Sequence, residues 1–245
     1  MTNTRKLFDI QGTDRVSFLQ GLVTNDVREG LVYAALLTPQ GKYLADFFLL
    51  GTDERILLDI DASIADQTVQ RLSMYKLRAD VTIEPSEMKV QRGLGEAPDG
   101  AIADPRNDAL GWRYYAPDAG PDHEIDWTAL HVAHCVPQTG IELTPDSYIL
   151  EAGFEQLSGV DFRKGCYVGQ EVTARMKHKT ELRKGLTKVK VTGAAPTGTP
   201  ILSGSKEAGV LYSQAAGEGI AYLRFDRAKG EMTAQDATVH RIDPA

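Results

Sequence analysis

Cysteine is scarce in this chain: of 245 residues only Cys135 and Cys166 carry a thiol. Two thiols cannot build a disulfide scaffold, and within one chain they cannot complete a four-cysteine zinc or iron–sulfur site. Long apolar runs are also lacking. None approaches the roughly 18 residues that a membrane-crossing helix needs, and the strongest, Ala34 to Leu37 and Phe47 to Leu50, have the length of buried strands. The opening Met1 to Leu7 holds no apolar core of signal-peptide length, so the expectation is a soluble, cytoplasmic protein with no membrane partner. Phosphate-binding fingerprints are missing too: there is no Gly-x-x-x-x-Gly-Lys-Ser/Thr, and Gly93-Leu94-Gly95 lacks the third glycine of a dinucleotide loop. His131 and His134 precede Cys135 at a spacing that matches no zinc set, so no metal site is expected. A helix from Glu171 would carry His178 about 10 Å along its axis, beyond hydrogen-bond reach of Cys166, which argues against a hydrolase.

What is present is ordinary globular material, 42% hydrophobic and 25% charged, in a length that suits one large domain or two small ones. The net charge of −7 argues against a nucleic-acid partner. That total hides an asymmetry. Residues 161–190 contain nine Lys or Arg and three acids, a local +6 that leaves −13 for the rest. Such a strip attracts an anionic ligand, or is a solvated face balanced by neighbouring carboxylates.

Periodicity gives the element order. Val16, Leu19, Leu22 and Val23 recur at helical spacing behind Asp14 and stop at Thr24-Asn25-Asp26. Strands over 31–38 and 43–50 flank Pro39-Gln40-Gly41, a hairpin turn, and place Asp46 inside an apolar strand. A strand over 55–60 then leads into a helix capped by Ser63, with Ile64, Val69, Leu72 and Tyr75 on one face as far as about Leu77. Strands over 81–84 and 88–91 complete an α+β unit of split βαβ type. The second half predicts a strand over 111–116, helices over 122–135 and 147–157, and a short helix from Glu171. Beyond Gly185, short strands between Gly, Pro and Ser turns predict a small β-barrel or sandwich. The expected division is 1–100, 101–184 and 185–245.

Cys166 sits in Lys164-Gly165-Cys166-Tyr167-Val168-Gly169-Gln170-Glu171. Glycines on both sides permit a tight turn, and two adjacent cations with a helix N-terminus favour thiolate. This octapeptide resembles the signature of the YgfZ-type folate-binding proteins, relatives of the glycine-cleavage T protein, an aminomethyltransferase. The resemblance extends through Phe18 to Asp26, Leu37 to Gly41 with Asp46, Asp104-Pro105-Arg106 and Leu110 to Arg113. It departs from the family at His178-Lys179-Thr180, where His-Arg-Gly is common.

The resemblance implies a three-lobed α+β fold around a folate channel, ending in a β-barrel, with tetrahydrofolate, free or polyglutamylated, as ligand. It implies a role in assembly or repair of iron–sulfur clusters, with client enzymes or cluster-assembly proteins as partners and Cys166 as the reactive residue. The alternative is a folate-dependent aminomethyl transferase using Asp46. The implied folate contacts are Asn25, Asp46, Arg113, Glu151, Lys164, Tyr167 and Gln170. Asp46 suits pterin N–H groups, and cations suit an anionic tail. Arg113 has an open alternative as an ion-pair partner of Asp104. Arg106 is read as structural.

Overall fold

The computed structural model describes residues 5–178 and 182–242. Lys179 and Thr180, where the signature helix departs from the family pattern, lie outside them. The chain divides into two compact units, residues 1–125 with 154–174, and residues 126–153 with 175–245. The expected middle segment, 101–184, is thus shared between both.

The first unit is built on a five-stranded sheet. Its strands are β1 (Arg5–Gln11), β2 (Gly30–Leu37), β3 (Tyr43–Gly51), β4 (Ile56–Asp61) and β5 (Thr82–Pro85), in the order β2-β3-β4-β1-β5. Every neighbouring pair is antiparallel. Because β1 lies between β4 and β5, the β4–helix–β5 passage is the split βαβ unit that the element order predicts. Helix α1 (Arg15–Gln20) is shorter than its apolar spacing suggests, because Leu22 and Val23 close it through backbone bonds to Leu19. Helix α2 (Ala62–Tyr75) is capped two residues earlier than expected, with the Asp61 carboxylate accepting from the Ser63 N–H at 2.9 Å. It buries Ala65, Thr68 and Leu72, whereas Tyr75 is exposed.

Alternation along the strands gives the sheet two different faces. One face, with Ile10, Ala34, Leu36, Phe47, Leu49, Leu58 and Ile60, packs with Leu19 of α1 and Leu72 of α2 in an all-apolar core. The opposite face carries Leu7, Tyr33, Asp46, Phe48, Leu57 and Asp59. There Leu7 and Leu57 pack with Val90 and Tyr115 from a second, three-stranded sheet. Its strands are β6 (Lys89–Gly93), β7 (Ile102–Ala103) and β8 (Trp112–Ala116), ordered β6-β8-β7.

The second unit contains α3 (Trp127–Ala133) and a closed barrel of β9 (Lys184–Thr192), β10 (Thr199–Ser203), β11 (Lys206–Ala215), β12 (Glu218–Arg224), β13 (Glu231–Ala234) and β14 (Ala237–Arg241). The barrel core is small and aliphatic, with Val189, Ile201, Leu211, Leu223, Met232 and Val239. Of two expected helices, that over 122–135 is shortened to α3 and that over 147–157 does not form. Residues 122–126 are not helical because Asp122 is taken by the Arg92 side chain and N–H, and Asp126 becomes the cap of α3. Residues 149–157 form consecutive turns, with Gly153 in the left-handed region at φ 79. Their apolar residues Ile149, Leu150, Ala152, Phe154 and Leu157 are all buried, while Glu155 and Gln156 are exposed.

Candidate functional site

Helix α4 (Gln170–Lys177) follows the signature turn, and that turn is fastened to the segment after α1. The Lys164 ammonium donates to the carbonyls of Gln20 (2.9 Å) and Val23 (2.6 Å). Thr24 Oγ1 donates to the Gly159 carbonyl, and the Asn25 amide donates to the carbonyls of Ser158 and Tyr33. Backbone bonds from Asp161 to Thr24 and from Val168 to Gly21 complete the clamp. Two sequence blocks about 140 residues apart therefore form one structure.

Within the clamp, Cys166 is exposed. The cations expected to activate it are engaged elsewhere: Lys164 holds carbonyl oxygens, and Arg163 lies 3.8 Å from the Asp161 carboxylate. Burial pulls the Lys164 ammonium down to about 8, against the opposing pull of Asp26 and Asp161. Tyr167 is buried beneath Lys164, whose nitrogen sits 5.1 Å from the ring centroid, and burial raises its hydroxyl to about 12. Gln170 is half-buried at the start of α4, with its N–H bonded to the Tyr167 carbonyl. Only one signature glycine is conformationally required. Gly169 adopts φ 86, and a Cβ there would meet the Thr38 carbonyl oxygen at 2.6 Å, while Gly165 faces open space.

Asp46 is buried on the polar face of the sheet. It accepts from the Tyr33 hydroxyl at 2.9 Å and from the Tyr43 hydroxyl at 2.6 Å. Burial, reinforced by Asp46, raises the Tyr33 hydroxyl well above its ordinary value, so it remains a donor. The Tyr33 ring stacks on Phe154 at 5.1 Å and tilts against Phe48 at 5.3 Å. Asp46 is thus an acceptor in aromatic surroundings, with Tyr33, Tyr43 and Phe48 on the same face of the sheet and Phe154 stacked on Tyr33.

Arg113 occupies a different environment from a cation at a channel exit. It is 1% exposed, paired with Asp59 and lying 3.5 Å from Asp104, and its Nε donates to Tyr115. The ion-pair alternative thus describes its position. Arg106 makes a two-bond pair with Asp104 at 2.9 Å, as a structural residue would. Three guanidinium carbons surround the Phe48 ring, those of Arg113 at 3.9 Å, Arg106 at 4.8 Å and Arg5 at 5.5 Å. Burial alone would raise the Asp59 carboxyl, but Arg5 and Arg113 outweigh it and hold the group well below the usual carboxylate range. Sequence reasoning missed Asp59 and the two tyrosines. The available signal was the one that found Asp46, a lone acid in an apolar strand, here Leu57-Leu58-Asp59-Ile60.

Glu151 belongs to the second unit. It accepts from the Tyr222 hydroxyl at 2.5 Å and lies 3.7 Å from the Lys184 ammonium. The basic strip is likewise divided: Lys164 is in the first unit, whereas Lys184, Lys188 and Lys190 lie on β9, where Lys188 pairs with Glu218. No group of three or more metal-ligating side chains occurs among the described residues.

A split βαβ sheet with a buried strand aspartate, a clamped glycine-flanked cysteine turn and a terminal closed barrel define a chain of the aminomethyltransferase T fold. The glycine cleavage system aminomethyltransferase T from Bartonella henselae superposes with a TM-score of 0.76 over 99% of this chain and 83% of its own, at 14% identity, a likeness of fold. Residues 183–245 match the CAF17 C-terminal beta-barrel domain. The iron-sulfur cluster assembly factor IBA57 of Mus musculus is 31% identical over 93% of this chain and 78% of its own length, and that of Homo sapiens 29% over the same shares. The chain belongs to the IBA57 family. This corrects the YgfZ-type assignment, which names a related but distinct member of the same superfamily. It also corrects the cytoplasmic expectation: these relatives are named as mitochondrial and point to the mitochondrion. That expectation was drawn from a missing signal core, and an absence carries no address.

Proposed function

We propose that this chain is a tetrahydrofolate-binding accessory protein that supports the assembly or repair of iron–sulfur clusters in other proteins, with Cys166 as its reactive group. The observation that carries this reading is the exposed Cys166 thiol on a turn clamped by Lys164, Thr24 and Asn25. A fixed, accessible thiol, once deprotonated, can displace a thiolate ligand from iron in a partner's cluster, or attack a partner's disulfide and release one of its sulfurs as thiolate. Membership of a family whose named relatives are iron-sulfur cluster assembly factors supports the same direction. Asp46, with Tyr33 and Tyr43, is the group proposed to hold the pterin, and a bound folate would supply one-carbon carrier chemistry there.

The test is genetic and calorimetric. Cells lacking the chain should regain iron–sulfur enzyme activity with the wild-type protein and not with Cys166→Ala. Tetrahydrofolate should bind the wild type, with heat lost in Asp46→Ala. Full rescue by Cys166→Ala removes the thiol role, and an absence of binding heat removes the folate. Release of ammonia from a lipoyl-bound aminomethyl donor would move the reading to the transferase alternative.

A further inference from the structure

The C-terminal tip of α2 carries a concentrated apolar exposure. Leu77 is 90% exposed, Met74 64% and Tyr75 39%. Leu77 also adopts φ 44, the left-handed conformation that glycine takes at helix ends without a Cβ penalty. One residue therefore combines two unfavourable features, a solvated leucine side chain and a strained backbone, that a glycine would remove together.

The tip is a fixed mount. Asp80 accepts from the Thr13 N–H and hydroxyl at 2.9 and 2.8 Å, its own N–H donates to the Asp14 carboxylate at 2.9 Å, and its carbonyl accepts from the Asp14 N–H. Gly12, at φ 106, lets the two segments touch, since a Cβ there would meet the Asp80 carbonyl oxygen at 2.0 Å. Along the tip itself cations predominate, with Asp80, the nearest acid in sequence, hydrogen-bonded below it. Residues 70–79 contain Arg71, Lys76 and Arg78 and no acid, on a chain of net charge −7. The adjacent carboxylates of Asp14 and Asp80 are bound at its base.

We propose that this tip is a docking knob for a protein partner whose surface offers an apolar pocket rimmed by carboxylates. The apolar area is confined to three side chains at one point, which suits a pocket better than a lipid plane, and the three cations require an acidic rim. The inference rests on the accessory-protein reading and names the chemistry of the partner surface.

Leu77→Gly is the decisive variant. It relieves the left-handed strain, so the purified protein should melt at or above the wild-type temperature. Iron–sulfur enzyme activity in cells carrying it should fall severalfold, while Leu77→Met retains it. The Lys76→Glu/Arg78→Glu variant should lose activity with an unchanged melting temperature. Wild-type activity in both Leu77→Gly and the charge reversal overturns the proposal. So does a lowered melting temperature in Leu77→Gly with a matching loss of activity, which marks a structural role. Co-sedimentation with phosphatidylglycerol vesicles, abolished by Leu77→Gly, would reassign the tip to a lipid surface.

If the wild type restores no activity, the accessory reading itself fails, and docking is read separately. A benzoylphenylalanine photocrosslinker in place of Met74 should then form an adduct with one protein of acidic surface, identified by mass spectrometry, and lose it on charge reversal. An adduct insensitive to charge reversal, or none, overturns the docking.

Discussion

Lys164 is the residue on which the candidate site turns, and its burial gives it a measurable signature. It is held at the carbonyl oxygens of Gln20 and Val23, near Asp26 and Asp161, an environment that keeps a cation in place while stripping its water. Burial lowers its pKa from 10.5 to about 8. Below 8 both folded and unfolded chains carry the proton, and the folded state bears the full cost of a buried charge. Between 8 and 10.5 the unfolded chain binds a proton that the folded one has released, so this group's contribution to stability rises with pH. Urea unfolding at pH 7.5 and 9.5 should show a larger gain at the higher pH in the wild type than in Lys164→Met. Equal changes in the two proteins would mean that Lys164 is not desolvated in this way. The other thiol provides a contrast. Burial, then Glu142, pushes Cys135 up to about 12 against Lys188, which makes it an inert thiol where Cys166 is open.

At the scale of elements, the β2–β3 hairpin and the start of α4 meet through two glycines. Gly41 adopts φ 74, and a Cβ on it would lie 2.8 Å from the Val172 Cβ; Gly169 stands against the Thr38 carbonyl. Gly169→Ala combines a positive φ with a backbone clash and should lower unfolding stability by about 1–3 kcal/mol. Gly165→Ala has open space and a conventional φ, so it should be close to neutral. Chemical denaturation of the two variants checks the contrast, and equal losses would refute the interlock. The hairpin itself was legible because Pro39-Gln40-Gly41 specifies its turn locally and both strands are continuous apolar runs. The helix from Glu171 was legible from the glycine-rich turn before it, and the barrel strands from the Gly, Pro and Ser turns between them. The turns before Leu157 were not, because buried Ile149, Leu150, Ala152, Phe154 and Leu157 have the density of a helix face, and the left-handed Gly153 that breaks the helix leaves the apolar spacing unchanged. Nor was the clamp of Lys164 on residues 20–23, since tertiary pairing across the chain leaves no periodicity behind. Asp46 was read from its apolar flanks, but its tyrosine partners come from register: Tyr33 pairs with Phe48 and Ala35 with Asp46, which puts all of these side chains on one face.

For the whole molecule, the net charge of −7 matters less than where the carboxylates are buried. The first unit buries Asp59 and Asp104 among Arg5, Arg106 and Arg113. Burial opposes their ionisation, yet the arginines prevail, Arg5 and Arg113 at Asp59, Arg106 and Arg113 at Asp104, and both carboxyls fall below 3.8. A depressed carboxyl stabilises the fold above its unfolded value and loses that contribution as pH falls through the folded one. Acid should therefore weaken the first unit as pH drops below about 4. The chain passes between the two units three times, after Ile125, Gly153 and Ala174, so each unit contains two separate stretches of sequence. The two tryptophans report the units separately: Trp112 lies on β8 in the first, and Trp127 begins α3 in the second. Single-tryptophan variants, Trp127→Phe to observe Trp112 and Trp112→Phe to observe Trp127, can be titrated with acid by fluorescence. The expected outcome is an earlier transition at Trp112, where the arginine-held carboxylates protonate. Coincident transitions would show that losing those ion pairs unfolds the chain as one cooperative body, and a first transition at Trp127 would place the acid-sensitive groups in the barrel unit instead.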